Sequence, residues 1–465
     1  MLSPEAIGLV ALLGMVVLIL LRMPVGLAMV VTGIVGNYAL SLAVPWLRFE
    51  PYLAQFKTLL WGIVSNYELS IIPLFVLMGY LSSEAGLSRD IFRGLNALLG
   101  RVRGGVAIAA IGACAAFGAV SGSSVATAST MGRIALPELK RLSYAPSFAA
   151  GTLAAGGTLG ILIPPSVALV LYAVIVEASI VDMFRAAVIP GILAVGFFAL
   201  VILITARARP EVVGASVLLG AREKRGDLIR LVPVLAIFGS IIAGLGLGVF
   251  TPTPAAAVGA SLILIYGLVL GRRDASTRGL NAAKIKSAIL QTAVTAGMIY
   301  FILFGAEVLK GFLARAGLPA AMATLATQSG LDPWLILIGL LILLIVIGCI
   351  MDSLAMILVV VPFFWPALVG LNGGPDVMAA EATFGMNHED LKIWFGILAL
   401  VVVELGLITP PVGLNVLVIA SLDRAIPMGR IFNGVLPFFG IETVRVALLL
   451  MLPGLSLWLP HYLSG

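Results

Sequence analysis

Long apolar stretches separated by short polar ones run through the whole chain. Residues 6–21 are apolar, the polar break Arg22-Met23-Pro24 follows, and residues 25–44 are apolar again. The same pattern returns at 231–249, 255–270 and 345–361. Runs of this kind predict helices that cross a bilayer, each needing about 20 apolar residues. With connectors, the chain length allows roughly a dozen crossings and leaves no room for a soluble domain. The first run has the length of a signal peptide but lacks a basic n-region and a small-residue cleavage site, so it reads as a retained first span.

Composition agrees. Of 465 residues, 61% are hydrophobic and 11% charged, with a mean hydropathy of +1.15; soluble chains sit near ~45–50% apolar and ~25% charged. This excludes a disordered chain, a disulfide-stapled secreted fold and a nucleic-acid binder. It predicts an all-α, polytopic membrane protein with the lipid bilayer as its surroundings. The net charge of +6 mostly reports basic loops on the cytoplasmic side. Arg207, Arg209, Arg222, Lys224, Arg225 and Arg230 precede the runs 231–249 and 255–270, and Arg272, Arg273, Arg278, Lys284 and Lys286 follow them. By the positive-inside rule these two runs go out and back between cytoplasmic loops. Arg89, Arg93, Arg101 and Arg103 mark another cytoplasmic stretch, whereas residues 372–390 carry Asp376, Glu381, Glu389 and Asp390 and are expected on the outer face. Cys114 and Cys349 both lie in apolar runs and predict no framework disulfide.

The sequence repeats internally. Ala85-Gly86-Leu87 returns as Ala316-Gly317-Leu318. Gly118 to Ser124 lies opposite Gly348 to Leu354, Leu159-Gly160-Ile161-Leu162-Ile163-Pro164-Pro165 opposite Leu405-Gly406-Leu407-Ile408-Thr409-Pro410-Pro411, and Pro190 opposite Pro437. The spacing holds, steps once, and holds again, which places an insertion at the acidic segment 372–390. Four matches in one order predict a duplication joined by the basic central pair of spans.

Each half carries a polar or proline-broken stretch inside apolar sequence. From Ser121 to Thr130, seven residues in ten are Ser, Thr or Gly. A helix in lipid hides one or two hydroxyls by bonding them to the preceding turn; this density predicts a broken helix whose tip presents hydroxyls and carbonyls to a cavity. Pro164-Pro165 and Pro410-Pro411 each delete two backbone donors, so each helix should break there. Ser166, Thr409, Gly413 and Asn415 add oxygens and flexible backbone. Asp352 stands alone in an uncharged run, and an intramembrane carboxylate costs ~2.5–3.5 kcal/mol on insertion scales, so it points to a cation or proton. Its neighbour Ser353 aligns with Ser123. Glu404 is a weaker candidate, and Glu307, Lys310 and Arg315 read as snorkelling at a helix end. Such an oxygen-rich set suits a hard cation such as Na⁺. An intramembrane protease is disfavoured, because His388 and His461 lie in a polar loop and near the C-terminus.

Ile72-Pro73-Leu74-Phe75, the stretch 121–128, Gly160 through Pro165, Phe250-Thr251-Pro252-Thr253, Met351-Asp352 and Leu407 through Asn415, taken in order, resemble the large membrane subunit of tripartite ATP-independent periplasmic (TRAP) transporters. The resemblance implies an elevator-type fold with a scaffold and a mobile domain that bears two re-entrant hairpins and broken helices. It also implies Na⁺-coupled uptake, with no organic cofactor, of a small organic-acid substrate. That substrate would be delivered by a periplasmic substrate-binding protein to a complex with a separate small four-helix membrane subunit in a bacterial or archaeal cytoplasmic membrane. Carried over by motif, Ser121, Gly122, Ser123 and Ser124 would form the first hairpin tip, with Thr127, Pro164 and Pro165 beside it. Thr409, Pro410, Pro411, Gly413 and Asn415 would be the counterpart, with Asp352 and Ser353 beside Na⁺; the ion is expected near Ser123, Asp352 and Thr409. Thr127 and Pro254 depart from the Asp and Glu often found there in the family. Thr127 puts a carboxylate role at the hairpin in doubt, and Pro254 is expected to affect scaffold geometry. The resulting division is 1–70 scaffold helices, 71–206 first repeat, 207–286 central loops and spans, 287–450 second repeat and 451–465 tail. A stand-alone symporter without a binding protein is the alternative.

Overall fold

The computed structural model describes residues 3–44, 46–214, 216, 221–273 and 278–464; residues 215, 217–220 and 274–277 of the central basic segment lie outside them. Every regular element among the described residues is helical. Two helices come first, α1 (Pro4–Leu20) and α2 (Val25–Ala43). Then come α3 (Glu50–Ser65) and α4 (Ile71–Glu84), which meet at a 60° bend, and α5 (Leu87–Leu99). A hairpin follows, made of α6 (Gly105–Ser121) and α7 (Ser124–Arg141). Next are α8 (Pro146–Leu162) and α9 (Val167–Val176), bent by 45°, and the long α10 (Ile180–Ala208). The central pair is α11 (Ala221–Gly246) and α12 (Pro252–Arg273). The second half consists of α13 (Ala282–Arg315), α14 (Leu318–Gln328), a hairpin of α15 (Pro333–Gly348) and α16 (Ser353–Asn372), the pieces α17 (His388–Gly406) and α18 (Leu414–Leu422), and α19 (Met428–Met451). Last comes α20 (Gly454–Ser464).

All four sequence matches fall on equivalent joints. Gly86 and Gly317 take left-handed conformations, φ 82° and 71°, between α4 and α5 and between α13 and α14. The hydroxyl run and Asp352 sit at the two hairpin tips, the proline pairs at the two breaks, and Pro190 and Pro437 inside α10 and α19. The glycines repeat in contact as well as in sequence: a Cβ on Gly118 would lie 2.4 Å from Gly160 Cα, and one on Gly348 would lie 3.3 Å from Gly406 Cα. Only glycine lets each hairpin arm come this close to its broken helix. The step in spacing is mostly the outer connection, Leu142 to Ala145 in the first half and Gly373 to Asn387 in the second; a longer α16 and a longer stretch of α17 ahead of Leu405 supply the rest.

Seven helices are long and apolar enough to cross a membrane among the described residues, or nine if each bent pair counts as one span. This is fewer than the dozen expected from length, because much apolar sequence is divided among hairpin arms and broken pieces shorter than a span. The pieces α8 and α17 form the centre, buried through residues 148–162 and 391–406. Around them the halves interlock: α18 packs on α7 and α8, α16 on α9, and α19 on α8. Elsewhere α13 lies along α2, where Gly33 and Gly36 accommodate Val308 and Phe312. Arg315 does not simply reach outward: its guanidinium donates to Asn37 Oδ1 at 2.9 Å and ties the end of α13 to α2. Cys114 and Cys349 are free and buried.

Candidate substrate and ion site

The first hairpin turns through Gly122 and Ser123. Gly122 has φ 58°, and a Cβ there would lie 3.1 Å from Val167 N, so the tip abuts the first proline break. Ser123 caps α7, its Oγ accepting from the Ala126 N–H at 3.3 Å, the usual device for a helix whose first donors lack partners. Ser121 Oγ and Thr127 Oγ1 pair at 2.8 Å across the tip. On the neighbouring α8, a Cβ on Gly160 would sit 2.6 Å from Thr127 Oγ1 and 2.9 Å from Ser123 O. Thr127 is therefore a buried brace of the tip, while Ser121 and Ser123 keep partial access. Pro164, Pro165 and Ser166 are buried, and Ser166 caps α9.

At the second tip, the half-buried Asp352 takes the place of Ser123. Its carboxylate caps α16 by accepting from the Leu354 N–H at 3.2 Å. Ser353 is buried, with no hydrogen-bond partner for its Oγ. The second break joins this tip through the Gly413 N–H, which donates to Cys349 O at 3.3 Å. Thr409 Oγ1 donates to Leu405 O at 2.5 Å and closes the last turn of the buried piece. Pro410 and Pro411 are exposed.

The halves meet at α7 and α17. Ser124 Oγ donates to Glu404 Oε2 at 2.7 Å with both side chains buried. Asn415 Nδ2 donates to Ala154 O at 3.3 Å, and both this nitrogen and Ser124 O crowd the space beside Gly157. Glu404 Oε1 and Asn415 Oδ1 have no hydrogen-bond partner. Among the described residues no hydrogen bond links Ser123 to Asp352 or Thr409. The predicted residues thus form two clusters, one at each tip, with Glu404 and Asn415 reaching from the second half into the first.

The family model described as tripartite ATP-independent periplasmic transporter, DctM component, matches residues 12–455. This chain belongs to that family. It is 34% identical over 434 residues to the C4-dicarboxylate TRAP transporter large permease protein DctM of Pseudomonas aeruginosa, covering 92% of this chain and 94% of that protein. It is 32% identical over 429 residues to the protein of the same name from Vibrio cholerae, covering 88% and 89%. Among solved structures, the Alcanivorax borkumensis YdaH transporter, described as having an unusual topology, aligns with a TM-score of 0.56 at 17% identity, over 84% of this chain and 87% of that one; this likeness concerns the fold alone.

As a TRAP large permease the chain is a multi-pass membrane transporter subunit and not an enzyme. Its two histidines are engaged away from the tips: His388 packs on the Trp365 ring at 5.3 Å between centroids, and His461 Nε2 lies 2.7 Å from Asp390 Oδ1. Pro254 occupies the first turn of α12, which packs chiefly on α4 and α11. Sequence reasoning missed a buried ion pair in α19. Glu442 and Arg445 bond to each other, and Arg445 Nη1 also donates to Pro190 O at 3.1 Å. Its signal was an acid and a base three residues apart in an apolar run, a spacing that places them on one helix face.

Proposed function

We propose that this TRAP permease imports a small carboxylate together with Na⁺, taking the carboxylate from a periplasmic binding protein while a small four-helix subunit braces the scaffold. The observation that carries this reading is the twice-built contact of hairpin arm with broken helix, Gly118 on Gly160 and Gly348 on Gly406. Each such junction ends helices near the middle of apolar sequence and directs helix N-termini at Ser124, Val167 and Ser353 toward the tips. Those ends carry partial positive charge and favour a carboxylate. The unpartnered oxygens of Ser353, Asn415 and Glu404, with the Asp352 carboxylate, fit a hard cation, which prefers carbonyl, hydroxyl and carboxylate oxygen. Na⁺ and carboxylate bound together leave little net charge on the tips. The hairpins and broken helices can then move as a body against the scaffold without carrying a bare charge through lipid.

The relatives named for C4-dicarboxylates make a four-carbon dicarboxylate the first substrate to test. In proteoliposomes of a bacterial-type inner membrane composition containing both partner proteins, uptake is expected only with an inward Na⁺ gradient. Undiminished uptake with choline in place of Na⁺ overturns the coupling. Uptake by this chain alone overturns the need for a binding protein and leaves the stand-alone symporter.

A further inference from the structure

Away from the hairpin tips, α5, α7 and α11 surround a cavity of about 770 Å³. Each helix turns arginines into it at helical spacing: Arg89 and Arg93 from α5, Arg133 and Arg141 from α7, Arg222 and Arg230 from α11. Two of these are matched. Arg141 bonds to Glu138, with its Nη2 2.6 Å from Oε1, and Arg230 lies 3.6 Å from Asp227. Arg89, Arg93, Arg133 and Arg222 make no ion pair or hydrogen bond among the described residues, and Glu223 is the one acid lining the cavity that is left to offset them.

Arg89 and Arg93, one helical turn apart, repel each other within α5, and arginines from three helices facing one concavity add their potentials. An anion in the cavity reverses the sign of that interaction. Guanidinium groups are well suited to hold one, because they stay charged, are weakly hydrated, and grip carboxylate or phosphate oxygens with paired N–H donors. We propose that this cavity is an anion site distinct from the hairpin tips, taking a carboxylate or a phosphate between Arg133 on the first hairpin and Arg89, Arg93 and Arg222 on α5 and α11. The bound anion would tie the hairpin arm to two helices outside the hairpin, so its occupancy would bear on how freely that arm moves. The anion can come from two sources, a free small anion or the phosphate of an anionic lipid headgroup.

The test needs neither Na⁺ nor partner proteins, so its failure leaves the proposed transport reading untouched. Purified, delipidated full-length protein is titrated with malonate and with inorganic phosphate while thermal unfolding is followed. The wild type is compared at equal anion concentration with Arg93→Gln/Arg133→Gln and with Arg430→Gln, an exposed control on α19. General salting effects stabilise all three alike. The site predicts that the double variant binds weaker by about tenfold or more, the loss expected for one charge-assisted hydrogen bond, while the control matches wild type. A lipid source predicts instead a difference only in nanodiscs, phosphatidylglycerol stabilising wild type over the double variant and phosphatidylcholine not. Equal responses of wild type and double variant in both arms overturn the site. Unchanged helical circular dichroism and elution volume show that the double variant folds.

Discussion

The two proline breaks share a Leu-Gly string, a Pro-Pro pair and a glycine contact with a hairpin arm, yet Pro164, Pro165 and Ser166 are buried while Pro410 and Pro411 are exposed. Their own residues do not produce this difference. The piece after the first break, α9, is flanked by α16, α10 and α17, whereas α18 after the second has α7, α8 and α19 for neighbours. A proline pair decides that a helix stops; the elements packed around the stop decide whether the freed groups meet protein or open space. The tips differ in the same sense, Ser123 capping one second arm and the charged Asp352 the other. The first junction is thus the tighter and less charged, the second the more open and acidic.

The largest effect should come from the glycine contacts. Gly118→Ala brings a methyl within 2.4 Å of Gly160 Cα, where backbone must shift, while Gly348→Ala meets its nearest neighbours at 3.2 and 3.3 Å. Overpacking costs about 1–3 kcal/mol. The first substitution should lie at the top of that range and the second near the bottom, read as the difference in midpoint of thermal unfolding in detergent. Equal losses would mean the two junctions are equally tight.

Next is the link between the halves. Glu404→Ala leaves Ser124 Oγ buried without its acceptor and should cost about 1–3 kcal/mol, whereas Glu404→Gln keeps an acceptor and should lose less. Stability of the Gln variant as low as that of Ala would remove the hydrogen bond as the reason for the loss.

The caps separate structure from charge. Ser123→Ala should cost about 1 kcal/mol by uncapping α7. Asp352→Asn keeps a capping oxygen and should leave stability nearly unchanged while weakening the Na⁺ dependence of uptake. An Asn variant with wild-type Na⁺ dependence would reduce Asp352 to a cap.

The smallest effect concerns Asp423, beyond α18, which pairs with Lys140 at the end of α7. The hydrogen bond from Lys140 holds the Asp423 carboxyl below its ordinary range. Because the folded value is the lowered one, the pair contributes stability above the ordinary Asp range and loses it as pH falls through the lowered value. Lys140 is well exposed, so the contribution should stay below about 1 kcal/mol. Unfolding midpoints of wild type and Asp423→Asn should converge at acidic pH and separate slightly at neutral pH; a constant gap would exclude the pair as its source.

Much of this was legible in residue order. Hydrophobic runs, glycines at joints and paired prolines are local signals: they state what the backbone can do within a few residues, and both hairpins and both breaks fall on them, although the counterpart of the first tip is Cys349 to Asp352 and not Thr409 to Asn415, which forms and follows the second break. Asp352 was legible because a lone charge in an apolar run is conspicuous. The partner of Glu404 was not legible, since Ser124 lies 280 positions away. Glu442 and Arg445 were overlooked because each neutralises the other within one turn of α19.

The sequence by itself therefore determined the class of protein, the repeat, and where helices begin, break and turn back, because insertion into lipid and backbone satisfaction depend on composition over short windows. Only the tertiary structure decided which break is sealed and which open, that Thr127 braces a tip, that Glu404 and Asn415 of one half hydrogen-bond into the helices of the other, and that arginines from three helices face one cavity. Those are relations between distant segments, fixed by packing contacts that no local window contains.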